Sequence, residues 1–210
     1  MAGLFGWGAR KPEEAPAPEQ PSEATLTSVV LPRFLGAVAP RSAPVILDLG
    51  PAVGANVSFL GERLACKLLI GDVFQEVRAI KADAPDELRA ALMTRLERTV
   101  TSPLDGVLCW DAFDYLNRAT AQAVAAFLVQ HLQPGGVVHG FFAAAAGDID
   151  RYTRYVIQGP STLTCRYESV PTRRRGVLST RDLAQIFAGT TVMESVLLKT
   201  QRREILIRKG

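Results

Sequence analysis

Hydrophobic residues along this chain alternate between short unbroken runs and evenly spaced recurrences. Val45–Asp48, Cys66–Val73, Asp105–Trp110 and Val137–Phe142 are apolar runs that read as strands buried on both faces, the form a parallel sheet takes. Between them apolar side chains return every three or four residues, at Phe59, Leu60 and Leu64, at Leu88, Leu92 and Leu96, and at Val124, Phe127, Leu128 and Leu132. That is the period of amphipathic helices. Strands and helices in alternation predict an α/β domain with a mostly parallel sheet and helices on both faces. The rhythm changes near the end, where Val192–Leu198 and Glu204–Ile207 flank the polar stretch Lys199–Arg203 and predict an antiparallel hairpin.

Other segments are less regular. Apolar spacing over Glu23–Val38 predicts one helix, interrupted at Pro32 because proline removes a backbone donor. Asp83–Asp86 introduces the helix carrying Leu88, and no third strand is recognisable between Val73 and Thr99. Gln133–Gly136 stops the helix over Arg118–Leu132, since proline and glycine cannot continue it. Ala143–Leu178 holds no sustained period beyond a strand at Leu163–Glu168, and Arg173, Arg174 and Arg175 read as a solvated loop run. Ser179, Thr180 and Asp182 look like the start of a helix over Arg181–Phe187. Met1–Ser22, rich in Pro, Ala, Glu and Gly, reads as a disordered tail before a single domain over residues 23–210, with Leu4, Phe5 and Trp7 as an alternative docking motif.

Composition narrows the function classes. With 210 residues and 48% apolar content, the chain can bury a core without disulfides. A net charge of +3 is too small to indicate nucleic acid. Cys66, Cys109 and Cys165 show no metal-ligand spacing, and with two histidines a histidine-rich metal site is not expected. No apolar run is long enough for a membrane span and no secretory leader pattern opens the sequence, so a reducing cytoplasm is the expected setting.

The candidate chemistry starts at Val45–Leu60, VILDLGPAVGANVSFL: a strand closed by Asp48, a small-residue turn, then a helix. Small residues let backbone approach a ligand, and a helix N-terminus offers free N–H groups and a positive dipole end. A dinucleotide fingerprint would be filled by Gly50, Ala52 and Ala55 with only one glycine. The form D-x-G-x-G-x-G is met better, by Asp48, Gly50, Ala52 in place of glycine, and Gly54. This turn resembles motif I of the class I S-adenosylmethionine (SAM)-dependent methyltransferases, with Pro51 where the family often carries cysteine, serine or another small residue. DGVLCW followed by Asp111, Tyr115 and Leu116 resembles motif IV of the same family. LQPGGVVHGFF resembles its L-x-P-G-G turn and fifth strand, and the closing hairpin is a family hallmark.

The resemblance covers about Glu23–Lys209 and implies a Rossmann-like class I methyltransferase fold whose last strand inserts antiparallel. It implies SAM as cofactor, held at Asp48, Gly50, Pro51, Ala52 and Gly54, with Asp72 on the ribose beside Val73. Trp110 and Asp111 would lie against its methionine and adenosine portions. The activity implied is methyl transfer to a small-molecule acceptor, with Asp111 and Tyr115 as weak candidates for positioning it. His139 reads as a structural histidine within its strand. Two alternatives stay open: a non-catalytic methyltransferase-like binding protein, suggested by Ala52 and the missing third strand, and a nucleotide-binding oxidoreductase, which the closing hairpin opposes.

Overall fold

The computed structural model describes residues 22–210. The tail Met1–Ser22 therefore lies outside the described residues except for Ser22, whose carbonyl accepts from Tyr167 N at 3.1 Å. Six strands form the main sheet in the order β3-β2-β4-β5-β9-β8. Of these, β2 (Val45–Asp48), β3 (Lys67–Ile70), β4 (Leu104–Trp110) and β5 (Leu132–Ala143) run parallel. The last two, β8 (Thr190–Leu197) and β9 (Arg202–Lys209), form the hairpin, with β9 inserted antiparallel against β5. The mostly parallel sheet with its closing antiparallel hairpin is the architecture expected from the sequence.

Alternation along the strands sorts the core into two faces. Leu47, Val107, Cys109, Val138 and Ile205 point to one side. There they meet α4 (Pro85–Thr99), α5 (Arg118–His131) and α6 (Thr180–Ile186). Ile46, Leu108, Phe141 and Leu206 point to the other, against α1 (Leu31–Val38) and α2 (Gly54–Leu64). Gly106 marks how closely α1 approaches: a Cβ there would stand 2.8 Å from Phe34 Cζ. Helix starts follow capping chemistry. Asn117 Oδ1 accepts from Thr120 N at 2.8 Å before α5, and Ser179 with Asp182 forms a reciprocal capping box before α6.

Four expectations are corrected. The predicted helix over Glu23–Val38 is two elements, the strand β1 (Glu23–Thr27) and then α1. Pro32 sits in the first turn of α1, where its missing N–H costs nothing, so it opens the helix and interrupts none. The segment between β3 and α4, where the sequence shows no recognisable strand, agrees with that reading among the described residues: a short α3 (Phe74–Ala79) lies there and leaves β3 at the sheet edge. Helix α5 ends at His131, and Gln133–Gly136 runs inside the irregular start of β5, with Gly135 at φ +72°.

The fourth correction is the largest. Ala143–Leu178 forms a long hairpin, β6 (Gly147–Gly159) and β7 (Thr162–Arg175), which pairs with β1 as a second antiparallel sheet in the order β1-β7-β6. Arg173 is buried there and donates to the Val77 and Ile80 carbonyls at the end of α3, so it is a clamp and no solvated loop residue.

His139 is buried as expected: its Nε2 lies 2.8 Å from Glu204 Oε1, and both side chains are fully enclosed. Ser28 Oγ donates to the same carboxylate, and Val29 N reaches Glu204 Oε2 at 2.8 Å. Burial works to raise the Glu204 pKa, but these hydrogen bonds outweigh it and hold the group below its usual value. The network ties the entry to α1 onto β5 and β9.

Candidate functional site

The end of β2 and the turn after it form the first wall. Asp48 is 1% exposed, and its Oδ1 accepts from Gly50 N at 2.8 Å and from Trp110 Nε1 at 2.6 Å. Burial lifts its pKa to about 6, against those two hydrogen bonds. Gly50 has no room for a side chain, because a Cβ would stand 2.9 Å from Trp110 Cδ1. Pro51 is buried behind it, whereas Ala52, Gly54 and Ala55 are exposed. Val53 caps α2 in an extended conformation without a side-chain hydrogen bond, which leaves first-turn N–H groups open at the exposed end.

Asp72 stands beside this turn, because Gly71 N donates to Asp48 O at 2.7 Å and Val73 N to Leu49 O at 3.0 Å. It lies just past β3 at φ +38°, a left-handed conformation that an Asp tolerates better than most residues. Its Oδ2 accepts from Gln75 Nε2 at 2.6 Å, while Oδ1 is buried and has no partner. Val73 is itself buried and opens α3. The residues placed on the cofactor from β2 and β3 thus meet at one end of two adjacent parallel strands. Open α/β sheets bind ligands at that end.

The wall contributed by β4 is packed. Trp110 adopts φ +48°, an uncommon conformation for a bulky residue and one that costs on the order of 1–3 kcal/mol. Its indole stacks on Tyr155 of β6 with centroids 5.1 Å apart and planes 9° from parallel. Tyr155 stacks in turn on Phe141 at 5.0 Å and 13°. Arg202 of β9 donates to the Tyr155 hydroxyl, and to Asp111 Oδ2 at 2.9 Å. Asp111 is fully buried, and its Oδ1 has no partner. Tyr115 OH donates to Arg151 O at 3.0 Å and lies 3.5 Å from Asp111 Oδ2. Asp111 and Tyr115 therefore grip β9 and β6 from behind and do not open onto a shared cleft.

Three residues at this site carry roles that sequence reading missed. Asn56, in the first turn of α2, turns inward: its Nδ2 donates to Tyr155 O at 2.9 Å and its Oδ1 accepts from Ile157 N at 2.7 Å. This straps β6 across the helix start. Tyr155 and Arg202 came from stretches without a clear period, and their meeting depends on pairing 47 residues apart in sequence. A polar residue on the inward stripe of α2, between Gly54 and Leu60, was the one local signal available.

No protein-family model matches the chain, and no curated protein matches it. Among solved structures it is similar to an S-adenosylmethionine-dependent methyltransferase from Clostridium acetobutylicum, at 12% identity over 86% of this chain and 91% of that one, TM-score 0.49. It is similar to SAM-bound CalS10, an amino pentose methyltransferase from Micromonospora echinaspora, at 18% identity over 86% and 89%, TM-score 0.43. Streptomyces venezuelae DesVI is a third, at 14% identity over 86% and 92%, TM-score 0.46. The fold is a Rossmann-like α/β fold with β9 antiparallel between β5 and β8. Within it, the second sheet lies over the carboxyl ends of the parallel strands, where Asn56 and Trp110 hold it.

Proposed function

We propose that this protein is a SAM-dependent methyltransferase acting on a small-molecule acceptor. The observation that carries this reading is the buried, unpartnered Oδ1 of Asp72 beside the uncapped start of α2. An orphaned buried acceptor costs about 1–3 kcal/mol, so a carboxylate held this way at a strand end is poised for a donor. A ribose hydroxyl supplies one. The exposed edge of Ala52, Gly54 and Ala55 leaves room for a carboxylate on the first-turn N–H groups of α2. Asp48 and Val73 hold the two loops in register, and Gly50 and Pro51 form the turn's inner side.

When bound, SAM would supply an electrophilic methyl group for an acceptor's lone pair and would leave as S-adenosylhomocysteine. The chain's own contribution is placement, which can account for a large share of a rate enhancement. Trp110 and Asp111 fix the β4 end, and Asp111 acts through Arg202. Cys66, Cys109 and Cys165 are all unpaired, which supports a cytoplasmic setting. No helix among the described residues is long and apolar enough to cross a membrane.

Calorimetric titration of the full chain with S-adenosylhomocysteine tests the reading. Saturable binding that weakens in Asp72→Ala is expected. Absence of binding by the folded parent would reject the cofactor assignment, whereas binding without methyl transfer to any acceptor would favour the non-catalytic alternative.

A further inference from the structure

A cavity of about 380 Å³ lies between the second sheet and the β8–β9 connection. Its size falls in the range of small-molecule pockets. Arg151, Thr153 and Tyr155 of β6, Tyr167 of β7, Thr25 of β1 and Arg202 of β9 contribute to its walls. Tyr155 is shared with the packed wall of the cofactor site, so the cavity adjoins the turn of Gly50 with only the Trp110–Tyr155 stack between.

The two guanidinium groups are held in place differently. Arg202 is matched by Asp111, with Asp114 Oδ2 3.7 Å away. Arg151 lies over the Tyr167 ring, 4.4 Å from its centroid, and no carboxylate among the described residues pairs with it. Its backbone is fixed from behind by Tyr115. A guanidinium held over an aromatic ring is partly pre-organised, so it loses less freedom on binding an anion. Bidentate recognition of a carboxylate uses the guanidinium's donor fork. Asp150 also borders the cavity, but it is exposed, and water screens its charge more than that of the half-buried Arg151. The phenol rings of Tyr155 and Tyr167 supply flat apolar wall, and the Thr25 and Thr153 hydroxyls supply further donors.

We propose that this cavity takes a small carboxylate-bearing molecule with a flat ring, anchored by Arg151. The ligand class rests on the cavity walls alone. Arg151 is a specificity-determining residue in this assignment, and Asp111 and Tyr115 are positioning residues that act through Arg202 and the Arg151 backbone.

The test uses the full chain with three probes of one skeleton, benzoate, benzylamine and benzyl alcohol, followed by saturation-transfer NMR and calorimetry. Each is run with and without S-adenosylhomocysteine. Benzoate should bind, and the amine and the alcohol should bind at least about tenfold more weakly, the difference one charge-assisted hydrogen bond makes. Arg151→Gln should lose about tenfold in benzoate affinity at unchanged melting temperature, and Arg151→Lys should recover part of it, since it keeps the charge without the fork. Benzylamine binding as tightly as benzoate would overturn the ligand class, because Asp150 would then govern the cavity. Benzoate affinity that survives Arg151→Gln would overturn it too, as would no detectable benzoate binding beside normal S-adenosylhomocysteine binding.

Discussion

The two walls of the candidate cleft are finished differently. On the β2–β3 side, Asp72 keeps a buried oxygen without a partner, and Ala52, Gly54 and Ala55 face solvent at an uncapped helix start. On the β4 side, Trp110, Tyr155, Phe141 and Arg202 are committed to one another by stacking and hydrogen bonds. The difference shows that one motif can hold glycines for two reasons. Gly50 is small because Trp110 lies on it, an internal demand that holds with or without a ligand. Gly54 meets nothing within 4 Å, so no internal contact requires its smallness.

Breaking the packed wall should have the largest effect on stability. Tyr155→Ala removes a ring sandwiched between two others and the partner of Arg202. Large aromatic truncations in cores cost about 3–5 kcal/mol, and chemical denaturation should read a loss of that order. The same variant uncovers Trp110, so stopped-flow measurement should show S-adenosylhomocysteine associating faster. A slower or unaltered association would mean that the stack does not obstruct the turn.

The open wall should respond in binding and not in stability. Gly54→Asp places a carboxylate at the first residue of α2, where space is open and the helix dipole favours negative charge. The melting temperature should hold or rise while S-adenosylhomocysteine binding is lost, because the new charge repels the ligand's carboxylate. Unchanged affinity would remove the cofactor from this turn. Asp72→Ala should weaken binding by about 1.5–3 kcal/mol, the range for hydrogen bonds to a charged group, with Asp72→Asn in between. Parent-like affinity in Asp72→Ala would detach the ribose from β3.

The same contrast explains what the sequence disclosed. Local signals were enough for β2 to β5, α2, α4, α5 and the closing hairpin, because each is a periodic run bounded by capping or breaking residues such as Asn117 and Gly54. The open wall depends on backbone close to one motif, so Asp48, Gly50, Gly54 and Asp72 could be placed together from spacing. The packed wall depends on β6 and β9, whose Tyr155 and Arg202 meet 47 residues apart, with Arg202 reaching Asp111 across 91 residues. Tyr152 is buried in one cluster and Tyr155, Ile157, Leu163 and Cys165 in the other, which blurs the alternation a half-buried hairpin usually shows. β1 was misread because Leu26 and Val30 fit a helical stripe as well as a strand followed by a turn. Pro32 marks the start of α1, a place where proline also fits a helix.

The smallest expected effect lies at the hinge of the two walls, Asp48, which bonds both Gly50 and Trp110. Its pKa is raised by burial from 3.8 to about 6, so the folded state prefers the protonated acid more than the unfolded chain does. The sign follows: Asp48's contribution is fully present below pH 3.8 and is lost as pH rises through about 6. Asp48→Asn keeps an acceptor oxygen for Gly50 N and Trp110 Nε1 but carries no charge to desolvate. It should raise the melting temperature above pH 7 and gain nothing at pH 4, where the parent Asp is itself neutral when folded. Glu204 runs the opposite way, since its lowered pKa makes its contribution one that is lost as pH falls, and it is common to both proteins. Comparing the two melting curves over pH 4 to 8 cancels it. A constant offset between parent and Asp48→Asn across that range would show that Asp48 does not titrate there.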